Sequence, residues 1–184
     1  CSTYLEKRDG FNLNDLIEII WTYAKKHLPD EDIHGFPHMK RVYQLCERFG
    51  AELEADMKIL RIATILHDIG RWLEAEDEEE RIANKLENHA EVSARLANDL
   101  FDPLLLSRNE RTDIIHCIRA HSYSNSVEPN TIEAKILSDC DKLDAIGAIG
   151  IYRTIAHTVQ NGGNLKDIIK HFKEKILNLK DKMY

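Results

Sequence analysis

The sequence predicts an all-α protein that forms a single domain. Its 184 residues are enough for one substantial hydrophobic core, and its 43% hydrophobic and 31% charged residues are typical of globular proteins. Nearly every segment places apolar residues at helical spacing, and no useful stretch alternates apolar and polar residues as a strand would. Three of the four prolines, Pro37, Pro103 and Pro129, stand before or between the predicted helices.

The helical pattern recurs in seven segments along the chain. In order they are 12–28, 37–50, 55–70, 87–101, 107–122, 131 to about 160, and a final amphipathic segment that begins at Asn164. Asn14 is the predicted N-cap of the first helix, and Gly50 is the predicted C-cap of the second. Ser107 and Glu110 are predicted to form a capping box at the start of the fifth.

The net charge narrows the classes of molecule that the protein is expected to bind. The 25 basic and 32 acidic residues give a net charge of −7, which argues against broad binding to nucleic acid or an anionic membrane. A small anionic substrate needs only a local positive site and is still allowed. No apolar run is long enough to span a membrane, and residues 1–10 are too charged for a signal peptide, so the cytoplasm is the expected location. Homo-oligomerisation is left open.

The four cysteines, Cys1, Cys46, Cys117 and Cys140, are scattered and form no CxxC pair, so neither a disulfide framework nor a zinc finger is expected. The acidic run EAEDEEER at 74–81 is interpreted as a solvated loop, with a flap near a functional site as the alternative.

The third helix ends in a pair of residues that needs an explanation. Residues 59–66 are apolar on nearly every face, which is typical of a buried helix, yet His67 and Asp68 follow just before Gly70, where the helix is expected to stop. A helix C-terminus disfavours a carboxylate, and burying an ionised carboxylate is costly unless it is paired or binds a metal. Asp68 therefore needs a positive partner, which is either Arg71 or a metal ion.

Four other helices also place a histidine or aspartate at the edge of an apolar stripe. These residues are His38, His89, His121 and Asp141. A lone histidine on an apolar face is usually a core residue, but the same arrangement in five helices favours a shared metal site. Nitrogen and oxygen donors without thiolates suit manganese, iron, nickel, zinc or magnesium. The predicted ligands are therefore His38, His67, Asp68, His89, His121 and Asp141.

The remaining titratable residues near these motifs are assigned lesser roles. His27, His157 and His171 are expected to be solvated surface side chains, and His34 could line a pocket mouth. His116 faces away from the apolar stripe of its helix. Of Asp139 and Asp144, one is expected on the surface and the other at or behind the site. Gly147 and Gly150 are expected to allow close approach of another helix.

Five motifs resemble, in the same order, those of the HD-domain superfamily of metal-dependent phosphohydrolases, and most closely its small single-domain bacterial and archaeal members. The motifs are HGFPHMKRV, ILHDIGR, NHAEVSA, RAHS and DCDKLDAIGAIGIYR, which together span about 34–153. The resemblance implies that residues 1–184 form one HD-type domain, with one or two divalent ions per chain. His38, His67, Asp68 and Asp141 match the family's first ion site, and His89 and His121 look like the ligands of a second ion, with His116 as a competitor to His121.

The chain also departs from patterns seen in that family. His34 is followed by Gly35 where such proteins commonly have an aspartate, so any role of that aspartate is missing. No GYP motif follows, which argues against the cyclic-di-GMP phosphodiesterase branch. Relatives often extend further at the C-terminus, so a further helix beyond Tyr184 is an expectation.

The absence of a P-loop or a nucleophile-elbow motif makes metal-activated water the predicted nucleophile. Asp68 is the predicted bridging ligand if two ions bind. Arg41 and Lys142 are predicted to hold phosphate oxygens, with surface salt bridges as the alternative. The favoured function is hydrolysis of a nucleotide or other small phosphate ester or anhydride. A mixed-valent di-iron oxygenase on the same fold is the alternative, and a non-catalytic metal- or nucleotide-binding module ranks third.

Overall fold

The computed structural model describes residues 12–72, 88–101, 104, 106–122 and 125–184. Within these residues the chain forms eight α-helices and no β-strand, which confirms the predicted all-α fold. The helices are α1 (Leu13–His27), α2 (Phe36–Glu52), α3 (Met57–Leu66), α4 (His89–Phe101), α5 (Arg108–Ala120), α6 (Ile132–Asp144), α7 (Gly147–Gln160) and α8 (Leu165–Glu174). Short 3-10 segments follow α3 at Ile69–Trp72 and α8 at Ile176–Lys182.

Helix α3 is the central element of the core. Seven of its ten residues are buried, including Leu60, Ile62 and Ile65, which are fully inaccessible to solvent. Burying each such side chain contributes about 1.5–3 kcal/mol to folding. Helices α1, α2, α4, α5 and α6 all contact α3. The helix that carries the His-Asp pair is therefore enclosed by the helices that carry the other predicted ligands.

The first helix is capped by Asn12, and the prediction of Asn14 was wrong. The Asn12 side chain accepts hydrogen bonds from the backbone amides of Asn14 and Asp15, and the Asp15 carboxylate accepts one from the Asn12 amide. This reciprocal pair satisfies donors that a helix N-terminus otherwise leaves free. Asn14 already lies inside α1.

Gly50 lies inside α2 and does not cap it, because the helix continues to Glu52. A Cβ atom at Gly50 would come within 2.5 Å of Leu60 Cδ2 and 2.7 Å of Met57 Sδ. The glycine is therefore used for close packing of α2 against α3 and not for a left-handed turn.

Helix α3 ends earlier than the sequence predicts. Its last residue is Leu66, His67 caps it, and Gly70 lies in the following 3-10 segment. A Cβ at Gly70 would come within 2.5 Å of the Ser93 backbone nitrogen and 2.8 Å of Val92 Cβ. The Gly70 amide also donates a hydrogen bond of 2.9 Å to Ser93 Oγ. Gly70 therefore lets the segment after the His-Asp pair lie directly against α4.

The segment predicted as one helix from 131 to about 160 is two helices, α6 and α7. The break follows Asp144, and Gly147 adopts a φ of +81°, a left-handed conformation that suits glycine. The expectation that Gly147 and Gly150 admit another helix is not met. No atom of the described residues lies within 4 Å of a Cβ built on Gly147, and a Cβ on Gly150 would collide with the Ala145 backbone. Gly150 thus permits the tight turn itself.

The predicted capping box of the fifth helical segment and the predicted start of the final helix at Asn164 are confirmed. Ser107 and Glu110 form the capping box of α5, and Asn164 caps the amphipathic α8. The acidic run at 74–81, Pro103 and Cys1 lie outside the described residues. Cys46, Cys117 and Cys140 are buried free thiols, in agreement with the expectation that they form no disulfide. Among the described residues, no helix has the length and apolarity needed to cross a membrane.

We expect Gly70→Ala to destabilise the protein by about 1–3 kcal/mol, because the new methyl group meets α4 backbone that cannot move alone. Urea unfolding followed by circular dichroism measures this change. Gly50→Ala is the matched control, since its Cβ would meet only the ends of side chains and alanine favours a helix interior. An equal or larger loss in Gly50→Ala would contradict the role given to Gly70.

Candidate metal centre

The structure brings all six predicted metal ligands to one place. His38 lies in the first turn of α2, His67 and Asp68 follow α3, His89 begins α4, His121 follows α5, and Asp141 lies in the last turn of α6. Ligand atoms of His38, His67 and Asp141 all lie within 4.8 Å of one another, as do those of His67, Asp68 and His121. The residues that the sequence assigned to a shared metal site therefore do come together.

The Asp68 carboxylate lies between two groups of histidines. Its Oδ2 atom is 3.7 Å from His38 Nε2 and 3.9 Å from His67 Nε2. Its Oδ1 atom is 3.4 Å from His89 Nε2 and 3.6 Å from His121 Nε2. Each carboxylate oxygen faces one group, which is the geometry expected of a bridging ligand.

Hydrogen bonds at Nδ1 orient three of the imidazoles. His67 Nδ1 lies 2.7 Å from the Thr64 carbonyl oxygen, and His121 Nδ1 lies 2.6 Å from the Ile118 carbonyl oxygen. His38 Nδ1 lies 2.7 Å from Asp144 Oδ2. Because each Nδ1–H donates to its oxygen, Nε2 carries the free lone pair and faces the centre of the cluster.

The electrostatic environment keeps the imidazoles of His67 and His89 neutral. Burial lowers the pKa of His67 to about 4 and that of His89 to about 3. The pKa of His38 is raised, because hydrogen bonds with Asp141 and Asp144 outweigh the opposing effect of burial. Against burial, the Arg71 guanidinium and His67 hold the pKa of Asp68 well below its usual range. An ionised Asp68 carboxylate beside the neutral imidazoles of His67 and His89 matches the protonation state that metal ligation requires.

The cluster fits a divalent metal ion. Asp68 Oδ1 is buried and has no hydrogen-bond partner among the described residues, although an unpaired buried carboxylate oxygen is costly. A cation between Asp68 and the facing Nε2 atoms would satisfy it. Imidazole and carboxylate donors also match the ligand preferences of manganese, iron, nickel and zinc.

The alternative partner of Asp68, Arg71, is also present. Arg71 Nε lies 2.8 Å from Asp68 Oδ2, and its Nη2 lies 2.9 Å from His89 Nε2. This ion pair satisfies one carboxylate oxygen and leaves Oδ1 to the side of His89 and His121. Arg71 and a cation are therefore compatible partners of the same carboxylate.

His121, and not its competitor His116, faces the cluster. His121 is buried with Nε2 toward Asp68. His116 Nε2 accepts a hydrogen bond of 3.0 Å from the Asn130 amide. His34 was expected at a pocket mouth. Its Nδ1 atom lies 3.5 Å from Asp68 Oδ2, the carboxylate oxygen that faces His38 and His67.

The two residues predicted to hold phosphate lie in different surroundings. Lys142 lines the cavity beside the cluster, and its Nζ donates a 2.5 Å hydrogen bond to Ser138 Oγ. Arg41 Nε donates a 2.7 Å hydrogen bond to Asp144 Oδ1 and so supports the residue that orients His38. A phosphate contact of Arg41 stays a prediction, and the observed contact is the ion pair that was its alternative.

One of Asp139 and Asp144 was expected on the surface, and the structure does not place either there, because Asp139 is partly buried. Asp144 is buried and binds His38, Arg41 and Arg153. Asp139 instead accepts a hydrogen bond from the Tyr184 amide. Asp144 is thus the residue behind the site.

The cavity beside the cluster has a volume of about 250 Å³. The residues of its outer wall were not predicted from the sequence as part of the site. Arg153, Lys175, His157 and His171 all line the cavity. His157 and His171 were expected to be solvated surface side chains, but they line this cavity. His27 is exposed, as expected, and contacts the Tyr23 carbonyl. The one signal for Arg153 was its place at the end of the last resemblance motif.

We expect Asp68→Ala to abolish tight binding of the first metal ion and His67→Ala to weaken it severely, because the bridging carboxylate and a facing Nε2 donor are lost. Metal analysis of the purified, dialysed variants measures this loss. Arg71→Ala is the matched control and should keep its metal. Full metal content in Asp68→Ala would show that Arg71 is the sole partner of the carboxylate.

Asp144→Ala should reduce metal affinity by about 10–100-fold, the usual effect of removing the carboxylate that orients a ligating histidine. Competition with a chromophoric chelator measures the affinity. Asp139→Ala, one helical turn away on α6, should stay within about twofold of the wild type. Equal losses in both variants would indicate a general disturbance of α6.

Comparison with known proteins places this geometry in a family. The HD domain family profile matches residues 35–146, more than half of the chain. The uncharacterized protein YpgQ of Bacillus subtilis (strain 168) is 30% identical over 178 residues, which cover 90% of this chain and 80% of YpgQ. Its crystal structure in complex with ADP superimposes with a TM-score of 0.70 at 26% identity and covers 94% of this chain and 82% of that one.

Two further relatives carry functional names. An HD-superfamily hydrolase from Bacillus thuringiensis has a TM-score of 0.66 at 26% identity and covers 94% of this chain and 85% of its own. Ribonuclease Y of Treponema pallidum (strain Nichols) is 25% identical over 135 residues, which make up 73% of this chain and 23% of ribonuclease Y. The profile match agrees with the order of the histidines and aspartates and with the fold that assembles them. The chain belongs to the HD domain family.

Proposed function

We propose that this protein is a divalent-metal-dependent phosphohydrolase that acts on a nucleotide or another small phosphate ester or anhydride. The observation that carries the proposal is the Asp68 carboxylate, which faces a histidine group with each oxygen while Oδ1 has no hydrogen-bond partner among the described residues. A bound divalent ion supplies an activated water nucleophile and neutralises charge on a phosphoryl group. A site made of imidazole and carboxylate donors leaves coordination positions open for water and substrate.

The cavity beside the cluster is suited to an anionic ligand. Lys142 and Arg153 line it, and their cationic groups would bind phosphate oxygens next to the cluster. Asp141 also lines the cavity, and its Oδ1 lies 3.3 Å from His38 Nε2. The substrate phosphate would thus lie between the ligand cluster and these cations.

Support for a nucleotide comes from a relative. YpgQ of Bacillus subtilis has been crystallised with ADP, and it shares its fold with most of this chain. The ribonuclease Y match concerns a minor part of that protein. The net charge of −7 and the small cavity favour a small phosphorylated molecule over RNA.

The oxygenase alternative uses the same types of ligand. The relatives that carry a functional name are called hydrolases or ribonucleases, so the comparisons do not favour it. We therefore retain oxygen consumption only as the contrary outcome of the functional test.

The direct test is product detection with manganese-, magnesium- or nickel-loaded protein. We expect release of phosphate or pyrophosphate from a panel of nucleotides and phosphorylated metabolites, with loss of activity on chelation. Lys142→Ala should raise KM or slow turnover without loss of metal. His89→Ala and His121→Ala should reduce turnover more than first-ion binding if a second ion takes part.

Asp68→Ala supplies the background rate for this assay. Phosphate release no higher than that background across the whole panel, together with oxygen uptake by the iron-loaded protein, would overturn the proposal in favour of an oxygenase.

A further inference from the structure

The cavity next to the ligand cluster has an outer wall that lies beyond the region matched by the HD domain profile. The profile ends at residue 146, whereas this wall is formed by α7, α8, Lys175 and the 3-10 segment Ile176–Lys182. Its polar side chains are Arg153, Thr154 and His157 from α7, His171 from α8, and Lys175. The side chains on this wall are therefore not part of the HD core that binds the predicted metal.

A line of imidazole rings connects the cluster to this wall. The ring centroids of His38 and His34 are 5.8 Å apart, and those of His34 and His157 are also 5.8 Å apart. His157 and His171 follow at 6.3 Å. The wall thus begins two ring contacts from His38, a predicted metal ligand.

Positive charge is concentrated around the cavity, although the chain as a whole is acidic. Arg71, Lys142, Arg153 and Lys175 line it, and Asp141 is the one carboxylate among the described lining residues. The first three have carboxylate partners in Asp68, Asp139 and Asp144, at 2.8, 3.6 and 2.5 Å. No carboxylate of the described residues forms an ion pair with Lys175.

The groups on the outer wall repel one another. Burial lowers the pKa of Lys175, Asp141 and Asp68 oppose that effect, and Arg71 and Arg153 add to it. Burial, Arg71 and Lys175 also lower the pKa of His157, and burial and Lys175 lower that of His171. Four cationic side chains line one cavity, and Lys175 among them has no ion-pair partner in the described residues, so an anion would be bound favourably there.

We infer that His157, His171 and Lys175 form a second anion subsite, which holds the phosphate groups that are not attacked at the Asp68 cluster. The inference deepens the proposed function and rests on it. The subsite makes the protein discriminate in favour of ligands with two or more linked phosphates, because a single phosphate can occupy only the cluster or the wall. These side chains are specificity-determining residues and not metal ligands.

The test is calorimetric binding to manganese-loaded protein, with inorganic tripolyphosphate, α,β-methylene-ADP and orthophosphate as probes. The methylene bridge resists hydrolysis, so binding is measured whether or not the protein turns over nucleotides. We expect Lys175→Ala and His171→Ala each to weaken binding of tripolyphosphate and the ADP analogue about tenfold, the loss typical of a hydrogen bond to a charged group. Orthophosphate binding and metal content should stay unchanged.

Two variants complete the design. Lys175→Arg should restore most of the affinity, because it keeps the charge. Lys173→Ala removes an exposed lysine of α8 that does not line the cavity, and it should bind like the wild type. Unchanged tripolyphosphate affinity in Lys175→Ala, or an equal loss for orthophosphate, would overturn the subsite. Absence of hydrolysis with the binding differences intact would instead overturn the proposed function alone.

Discussion

The buried carboxylate of Asp68 is the constraint on which the rest of the site depends. It stands at the end of α3, where the helix dipole and the lack of water both oppose a negative charge. Its pKa is nevertheless held low, because Arg71 and the surrounding histidines outweigh burial. An anion in this position requires positive or polarisable groups from every direction. Helices α2, α4 and α5 supply His38, His89 and His121 at their ends, and the segment after α3 supplies Arg71.

Asp144 connects the ligand cluster to helix α7. Its carboxylate accepts hydrogen bonds from His38 on α2, Arg41 on α2 and Arg153 on α7. Arg153 also donates to the Ile33 carbonyl and contacts His34. The contacts that fix the tautomer of His38 therefore also fix α7 against the cluster. A ligand bound at the cavity wall and a cation bound at the cluster would share this support.

Much of the site could be predicted from the sequence because its ligands stand at the ends of amphipathic helices. A helix period places His38, His89 and His121 at the edges of apolar stripes, and a buried aspartate at a helix C-terminus indicates a cation without knowledge of the fold. The helix caps were less predictable. Asn12 and Asn14 are both capping residues by type, and only the reciprocal bond with Asp15 decides between them.

The sequence by itself therefore determined the all-α fold, the order of the helices and the set of imidazole and carboxylate donors, because these depend on local periodicity and residue chemistry. The tertiary structure decided which residues of remote segments contact one another, because these contacts depend on distances that a local sequence pattern does not give. In the folded chain His121 and not His116 faces the cluster, and Arg41 pairs with Asp144. The segment predicted as one helix from 131 to about 160 is interrupted before Gly147. The side chains that line the outer wall of the cavity are His157, His171 and Lys175. The periodicity of α7 could not reveal this last feature, since α7 buries Arg153 and Thr154 while Ile151 and Ile155 stay exposed. A helix that lines a polar cavity turns its polar face inward, and only its packing against α6 and α8 shows which face that is.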